Sequence, residues 1–275
     1  MPTALITGSR RGIGAATALR LARAGWDVYA GAREATQAAH LAEQHPRITP
    51  IDLDITNPDH LAALDDRLPE RLDAVVNNAA IGVLGPLEGV TVDDLRRSFE
   101  VNVVGQLAVT QAVLPRLRRS RGRIVFVSST GGRTPVALEG AYCSSKCALE
   151  GMADVLRVEL RPWQIKVSVI EPGPTNTETW QGVPQQLDQM EAELQPEHRL
   201  LYEPHLAGLQ RMIRTLAPRA VDPDLVARYV ERALTDRRPR ARYAAGAQAA
   251  AMMALGAALP TPVGDALAAR LGGWK

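Results

Sequence analysis

Tyr142 and Lys146 stand four residues apart in a stretch of helical composition, Ser128 to Leu149. On a helix that spacing puts both side chains on one face, one turn apart. A phenol titrates near ~10 and is a poor base at neutral pH. Lowering it by about three units takes roughly 4 kcal/mol of preferential stabilisation of the phenolate. An ammonium ~4 Å away in a partly buried site, at an effective dielectric of about 20, supplies a Coulomb energy of that order. Ser129 follows the apolar run Ile124-Val125-Phe126-Val127, where a buried strand would end. A hydroxyl at a strand's carboxyl end, beside a helix carrying a phenol and an ammonium, can move a proton to or from a bound oxygen. Alone, Tyr-x-x-x-Lys equally describes two surface residues of an ordinary helix, so the preceding chain decides.

The chain has 275 residues, 46% hydrophobic and 23% charged, with a formal net charge of +2. That length suits one large α/β domain with a sizeable core. The charge balance argues against a nucleic-acid partner. Cys143 and Cys147 lie one helical turn apart, an awkward geometry for a disulfide, and read as free thiols in a reducing compartment. Met1-Pro2-Thr3 leads straight into an apolar strand without a basic n-region, so no signal peptide is expected. The Ala-rich run Ala244 to Leu259 is interrupted and falls short of the ~20 residues of a spanning helix. The expected location is cytoplasmic, with no membrane span. His198 and His205 are far from any cluster with ligand spacing, so no metal is expected.

Ala4 to Thr7 reads as a strand, Gly8-Ser9-Arg10-Arg11-Gly12-Ile13-Gly14 as a turn, and Ala15 to Ala24 as a helix. That layout aims backbone N–H groups at a phosphate. Gly8 permits the tight turn, and Gly12 and Gly14 allow backbone, pyrophosphate and helix to approach. A plain tight turn is the competing reading, and the spacing differs from the common G-x-G-x-x-G. Trp26 to Ala32 forms a second strand. In dinucleotide binders an acid at its end holds the 2′-hydroxyl of NAD, whereas an arginine suits a 2′-phosphate. Here Arg33 follows the tip, and Arg11 could close on the same phosphate. Glu34 turned inward would favour NAD; NADP is expected over it.

Ile51 to Thr56 reads as a third strand, Pro58 to Leu68 as a helix, and Ala74 to Val76 as a fourth strand running into Asn77-Asn78-Ala79-Ala80. Lys166 to Ile170 is a further strand, followed by Glu171-Pro172-Gly173-Pro174-Thr175-Asn176-Thr177. Strands apolar on both faces, alternating with helical patterns, indicate a doubly wound parallel α/β sheet of Rossmann type with helices on both faces. Ligands bind beyond the carboxyl ends of such strands. The glycine loop, Arg33, Asp54, Asn77 and Ser129 all lie at such ends, and this convergence lifts motifs that are weak singly.

Thr91 with Asp94 forms an N-cap arrangement opening a long helix, Val92 to Arg118, with Asn102 inside it. By default that amide is a surface or packing residue. The cations Arg116, Arg118, Arg119, Arg121 and Arg123 complement the dipole at a helix C-terminus. Residues 178–220 break the alternation with Gln, Glu and four prolines, and Trp180, Met190, Leu200, Leu201, Tyr202, Leu206 and Met212 would form the inner face of a helical lid over a substrate pocket. Asp222-Pro223 caps a helix carrying Leu225, Val226, Tyr229, Val230, Ala233 and Leu234 on one face. The expected organisation is a single nucleotide-binding domain, 1–275, with the lid near 178–220 and a C-terminal helical extension near 222–275.

Together these residues resemble the short-chain dehydrogenase/reductase family, over the chain up to about Thr177. The resemblance rests on Thr7 to Gly14, Asp54-Ile55-Thr56, Asn77 to Ala80, Asn102, Ser129 thirteen residues before Tyr142, Lys146, and Pro172-Gly173 with Thr177. Ala80 stands where the family usually has glycine. Tyr142 to Gly151 and Pro239 to Tyr243 are similar to the steroid- and retinol-dehydrogenase branch. The resemblance implies Tyr142 as general acid or base, Lys146 lowering its pKa and holding the nicotinamide ribose, Ser129 orienting the substrate oxygen, and Asn102 holding a water that links Lys146 to solvent. It implies cofactor contacts at Gly8, Ser9, Arg10, Arg11, Gly12, Ile13, Gly14, Arg33, Asp54, Ile55, Asn78, Ala79, Ala80, Tyr142, Lys146, Pro172, Gly173, Thr175 and Thr177. The expected activity is NADP-dependent hydride transfer between nicotinamide and a carbonyl or secondary alcohol of a largely apolar, steroid-, retinoid- or polyketide-like substrate. The alternatives are an NAD-dependent alcohol dehydrogenase of the same family and a non-catalytic nucleotide-binding protein. A homodimer or homotetramer is expected, as in related enzymes.

Overall fold

Successive residues of a strand face opposite sides of a sheet, and here both sides are apolar. Ala4 and Ile6 join one core with Val28, Ala30, Val76 and Val125, whereas Leu5 joins the other with Val75, Ile124 and Phe126. Strands of that kind need cover on both faces. The computed structural model describes residues 1–272. Within them seven parallel strands form one sheet: β1 (Thr3–Ile6), β2 (Asp27–Ala32), β3 (Ile48–Asp52), β4 (Ala74–Asn77), β5 (Arg123–Val127), β6 (Lys166–Pro172) and β7 (Arg242–Ala245). Their spatial order is β3-β2-β1-β4-β5-β6-β7. Winding reverses between β1 and β4, which opens a crevice beyond their carboxyl ends.

The helices follow in chain order as α1 (Gly12–Arg23), α2 (Ala39–Gln44), α3 (Pro58–Ala62), α4 (Leu64–Arg67), α5 (Val92–Phe99), α6 (Gln106–Ser120) and α7 (Gly140–Glu159). After β6 come α8 (Glu178–Gln181), α9 (Val183–Glu193), α10 (Pro196–Leu216), α11 (Pro223–Thr235), α12 (Ala247–Ala258) and α13 (Thr261–Gly272). Ala18, Leu21 and Ala22 of α1 and Val226, Val230 and Leu234 of α11 cover one face of the sheet. Val109, Val113 and Leu117 of α6 and Leu149 and Ala153 of α7 cover the other. Phe126 is fully buried there, a contribution of roughly 1.5–3 kcal/mol.

Three of the expected secondary-structure elements need correction. The third strand is Ile48–Asp52, not Ile51 to Thr56, and pairs Val28↔Ile48 through Ala32↔Asp52. Asp54 accepts hydrogen bonds from the Thr56 N–H and hydroxyl, 3.0 and 2.8 Å, and this local turn takes residues 54–56 out of the ladder. The long helix from Val92 is not uniform: residues Glu100–Gly105 form a π-helical turn between α5 and α6, which ends at Ser120. The region expected to be helical from Tyr243 onward includes part of strand β7, whose four residues are too short a run to carry a β signal. Residues 273–275 of the expected extension lie outside the described residues.

The region 178–220 is helical, as α8, α9, α10 and a 3₁₀ turn at Ala217–Arg219. Its apolar interior is Leu187, Leu194, Leu206, Leu209 and Ile213, with Trp180, Met190, Tyr202 and Met212 against it. Leu200 and Leu201 instead point outward, 75% and 60% exposed. The stripe on α10 runs through 202, 206, 209 and 213, and the helical period puts 200 and 201 outside it. Asp222 does cap α11, its carboxylate accepting from the Asp224 N–H at 2.7 Å. Among the described residues no helix is long and apolar enough to cross a membrane.

Candidate active site

Thr7, at the end of β1, locks the two loops that flank the crevice. Its hydroxyl oxygen accepts from the Asn78 N–H at 2.9 Å and the Ala79 N–H at 3.0 Å. The Asn78 side-chain amide donates back to the Thr7 and Gly8 carbonyls, at 2.9 and 3.1 Å. Gly8 and Gly12 have φ of +67° and +59°, backbone that side-chain-bearing residues rarely adopt. A Cβ on Gly14 would sit 2.3 Å from the Gly8 carbonyl oxygen and 2.6 Å from the Asn78 amide nitrogen. Helix α1 opens on Arg11 without a side-chain cap and without an acid in its first turn. Its first N–H groups therefore lack helix partners, and the positive end of its dipole meets the cleft lined by Gly8, Arg11, Gly12 and Ile13. This glycine cradle with an uncapped, acid-free helix start fits a pyrophosphate.

The cleft has a volume of about 1070 Å³ and runs from that cradle in two directions. Towards β2 it is lined by Ala32, Arg33, Gln37, Asp54 and Ile55. Burial pushes the Asp54 carboxyl up, but the Thr56 hydrogen bonds and the Arg33 charge outweigh it and hold the group below its ordinary value. Glu34 sits ahead of a 3₁₀ turn, exposed, and does not line the cleft. Arg11 departs from its expected place: its guanidinium pairs with Glu178 of α8 at 2.6 Å, so it joins the glycine loop to the first helix of the 178–220 region. Ser9 is buried and donates to the Ile6 carbonyl at 2.9 Å, holding the loop from within. Arg10, Ala79, Ala80, Pro172, Gly173, Thr175 and Thr177 all line the cleft. The Thr177 hydroxyl also caps α8, accepting from the Trp180 N–H at 3.2 Å.

Towards β5 the cleft ends at Ser129, Tyr142 and Lys146, brought together as their spacing implied. The Tyr142 phenol shares a hydrogen bond with the Ser129 hydroxyl. Lys146 is 1% exposed, and its ammonium donates to the Val127 carbonyl at 2.9 Å. The ammonium lies 5.7 Å from the Tyr142 ring centre. Burial pushes the phenol well up, against the pull of Ser129 and with Glu139 and Cys143 adding to the rise. The expected lowering of the phenol by Lys146 is thus not what dominates. Burial acts on the lysine too, pushing it down to about 8 against the upward pull of Glu150. Two buried groups resist ionising, and desolvation outweighs their mutual attraction.

Asn102 is fully buried in the π turn rather than on a surface. Its amide oxygen accepts from the Ile81 N–H at 2.9 Å, and its nitrogen donates to the Ile81 carbonyl and the Ser145 hydroxyl, both at 2.9 Å. The side chain thus fastens the loop after β4 to α7, one residue from Lys146. Behind the strand end, Ser128 donates to Glu150 at 3.0 Å, and Arg242 of β7 donates to Glu150 at 3.0 Å and Asp154 at 2.7 Å. The Glu171 carboxylate, 2% exposed, lies 3.5 Å from Arg133 and 3.7 Å from Arg242. Burial and the neighbouring Glu150 carboxylate push the Glu171 carboxyl up.

Sequence reasoning missed Thr7 as the loop lock, Glu150 and Arg242 as partners behind the strand, and Glu139 in the cleft wall. Glu139 carried a readable signal, because it lies three residues before Tyr142. Arg242 carried none, since its partners are about ninety residues away in sequence. Among the described residues no group of three or more His, Cys, Asp or Glu is placed to hold a metal.

A family model described as short chain dehydrogenase matches residues 2–188. Retinol dehydrogenase 5 of Mus musculus is 35% identical over 277 residues, spanning 95% of this chain and 86% of that protein. Estradiol 17-beta-dehydrogenase 2 of Mus musculus is 32% identical over 280 residues, spanning 95% of this chain and 72% of that protein. The crystal structure of a short chain dehydrogenase from Burkholderia cenocepacia J2315 in complex with NADP superposes with a TM-score of 0.74 at 27% identity, covering 98% of this chain and 97% of the other.

The crowding at Gly14 can be tested directly. Gly14→Ala pushes a methyl group into the Gly8 carbonyl and Asn78, and forced overpacking of this kind costs about 1–3 kcal/mol. Urea unfolding is expected to show that loss, together with weakened binding of a reduced nicotinamide dinucleotide by fluorescence titration. Unchanged stability and binding would show the cradle is not tight.

Proposed function

Because the chain belongs to the short-chain dehydrogenase family, we propose that it exchanges hydride between NADP and a carbonyl or secondary alcohol of a largely apolar substrate. The observation that carries the reading is the meeting of Ser129, Tyr142 and Lys146 at one end of the cleft whose other arm begins at the glycine cradle. Residues Gly8 to Gly14 would hold the pyrophosphate, Arg33 the 2′-phosphate, and Tyr142 and Lys146 the nicotinamide ribose. Asp54, Ile55, Asn78 to Ala80 and Pro172 to Thr177 would line the rest of the cofactor. When bound, the nicotinamide supplies or takes the hydride.

The chain's own residues manage the proton. The Tyr142 phenol, held protonated by burial, gives its proton to the substrate oxygen in reduction. The Ser129 hydroxyl donates to the same oxygen and fixes its position. Lys146, still charged near neutral pH, favours the phenolate left behind. Asn102 acts as a positioning residue for α7, through Ser145. Residues 178–220 act as the lid, within a single domain spanning 1–275. The apolar lid interior, with Trp180, Val183 and Met212 in the cleft wall, supports a steroid-, retinoid- or polyketide-like substrate. So do relatives whose names specify retinol and estradiol.

NADP is preferred in this reading because Arg33 lines the cleft where Glu34 does not, and because a neighbour of known structure carries NADP. We further propose a homodimer or homotetramer, supported by exposed Val104, Val155 and Val158.

Tyr142→Phe is expected to remove turnover of apolar ketones by at least about a thousandfold while NADPH binding stays within a few-fold; comparable turnover would sink the mechanism. In the unaltered protein, reduction needs Tyr142 and Lys146 both protonated. The phenol stays protonated through neutral pH, and Lys146 loses its charge above about 8. The kcat/KM for reduction should therefore be level below that pH and fall above it, and a continued rise into the alkaline range would contradict the roles. Arg33→Ala should weaken NADPH binding about tenfold or more and NADH binding little; a native preference for NADH would overturn the cofactor assignment. Light scattering should give twice or four times the chain mass, and a monomer at working concentration would refute the oligomer.

A further inference from the structure

Glu139 is the N-cap residue of α7, three residues before Tyr142, and both side chains line the same cleft. It lines the cleft beside Val136, Trp180 and Val183. Arg33 and Asp54 belong to the arm towards β2, whereas Glu139 sits in the apolar wall next to the reacting phenol. Its side chain makes no hydrogen bond and no ion pair with any described residue. Its backbone is anchored, the N–H to the Val136 carbonyl at 3.2 Å and the carbonyl to the Cys143 N–H at 2.8 Å, so the side chain leaves the main chain at a fixed point of the cleft wall. The carboxyl is half-buried in the cleft wall, and its acceptor oxygens are left to a bound ligand. Burial already pushes this carboxyl up to about 7, and the Tyr142 phenol is close enough to feel its charge.

We propose that Glu139 is a specificity residue that accepts a hydrogen bond from a hydroxyl on the substrate, a few bonds from the carbon that exchanges hydride. The preferred substrates are then hydroxy ketones, or the corresponding diols, on an apolar frame. The apolar wall around it favours a neutral hydroxyl over an ammonium, whose burial costs more. A carboxylate at that place also disfavours substrates with an anionic group near the carbonyl. This rests on the hydride-transfer reading above.

The test uses the full-length protein with NADPH, methyl octyl ketone, and its α- and β-hydroxy derivatives. The unaltered protein should reduce at least one hydroxy ketone with a kcat/KM about tenfold or more above the parent ketone, and Glu139→Leu should bring that ratio close to one. Glu139→Asp should keep part of the preference. Because the ratio is measured on one protein, a variant with reduced folded fraction leaves it unaffected. Where Glu139→Leu fails to fold, the ratio in the unaltered protein still decides: no preference for either hydroxy ketone overturns the role of Glu139. A preference that survives Glu139→Leu overturns it as well. Failure of the unaltered protein to oxidise NADPH with all three ketones would instead sink the hydride-transfer reading.

Discussion

A lysine ammonium that is 1% exposed is the most demanding group in this fold. Taking such a charge out of water costs several kcal/mol unless the surroundings replace its hydration. Here the replacement is thin: the Val127 carbonyl at 2.9 Å, the Tyr142 ring face at 5.7 Å and the field of Glu150 one turn along α7. Val127 can offer its carbonyl because it is the last residue of β5. The end of β5 and the first half of α7 must therefore keep a fixed relation. Two contacts outside the reacting groups help maintain it: Ser128 to Glu150 and Asn102 to Ser145.

The second demand comes from topology. Reversal of winding between β1 and β4 leaves a crevice, but an open crevice is not yet a cradle. Thr7 makes it one by bonding backbone on both sides, and Gly14 lets the two loops and α1 approach within a distance that a methyl group would forbid. The phosphate end and the proton-transfer end are then rigidly related, because β1, β4 and β5 are neighbours in one ladder. Residues 178–220 are different in kind. Their core of Leu187, Leu206, Leu209 and Ile213 meets the rest of the chain at Leu138, Leu84 and Val136, and Arg11 with Glu178 is an exposed ion pair of the sort worth little in water. The groups at the strand ends thus rest on the sheet, whereas α8, α9 and α10 rest mainly on a separate apolar cluster.

What could be read in advance follows the same division. Strands β1, β2, β4, β5 and β6 were legible because apolar runs buried on both faces have no other home, and the Tyr142–Lys146 spacing because a helix turns local spacing into geometry. Strand β3 was misplaced by three residues, since Asp52, Asp54 and Thr56 alternate with apolar residues as a strand does. Only the Asp54 turn, a side-chain hydrogen bond, ends it. Strand β7 was missed because four residues, Arg242-Tyr243-Ala244-Ala245, are too few to show a period. Lys146 was expected to draw the phenol down. That assumed an effective dielectric and a ~4 Å approach, whereas burial of both groups decides their titration, and burial is a tertiary fact.

Strand β7 matters more to the site than its length suggests. Glu150 and Glu171 are 5% and 2% exposed, and burial together with the Glu150 charge pushes the Glu171 carboxyl up. Arg242 brings a guanidinium to both, bonding Glu150 directly and lying 3.7 Å from Glu171. Removing one partner of such a buried set leaves uncompensated charge, at about 3–5 kcal/mol. The Glu150 charge pulls Lys146 up against its burial, and the same carboxylate, held by Arg242, keeps Ser128 beside Ser129. A residue in the least legible part of the chain therefore helps hold the carboxylate that acts on the best-marked one. It does so because the sheet adds its last strand next to β6, where sequence distance no longer counts.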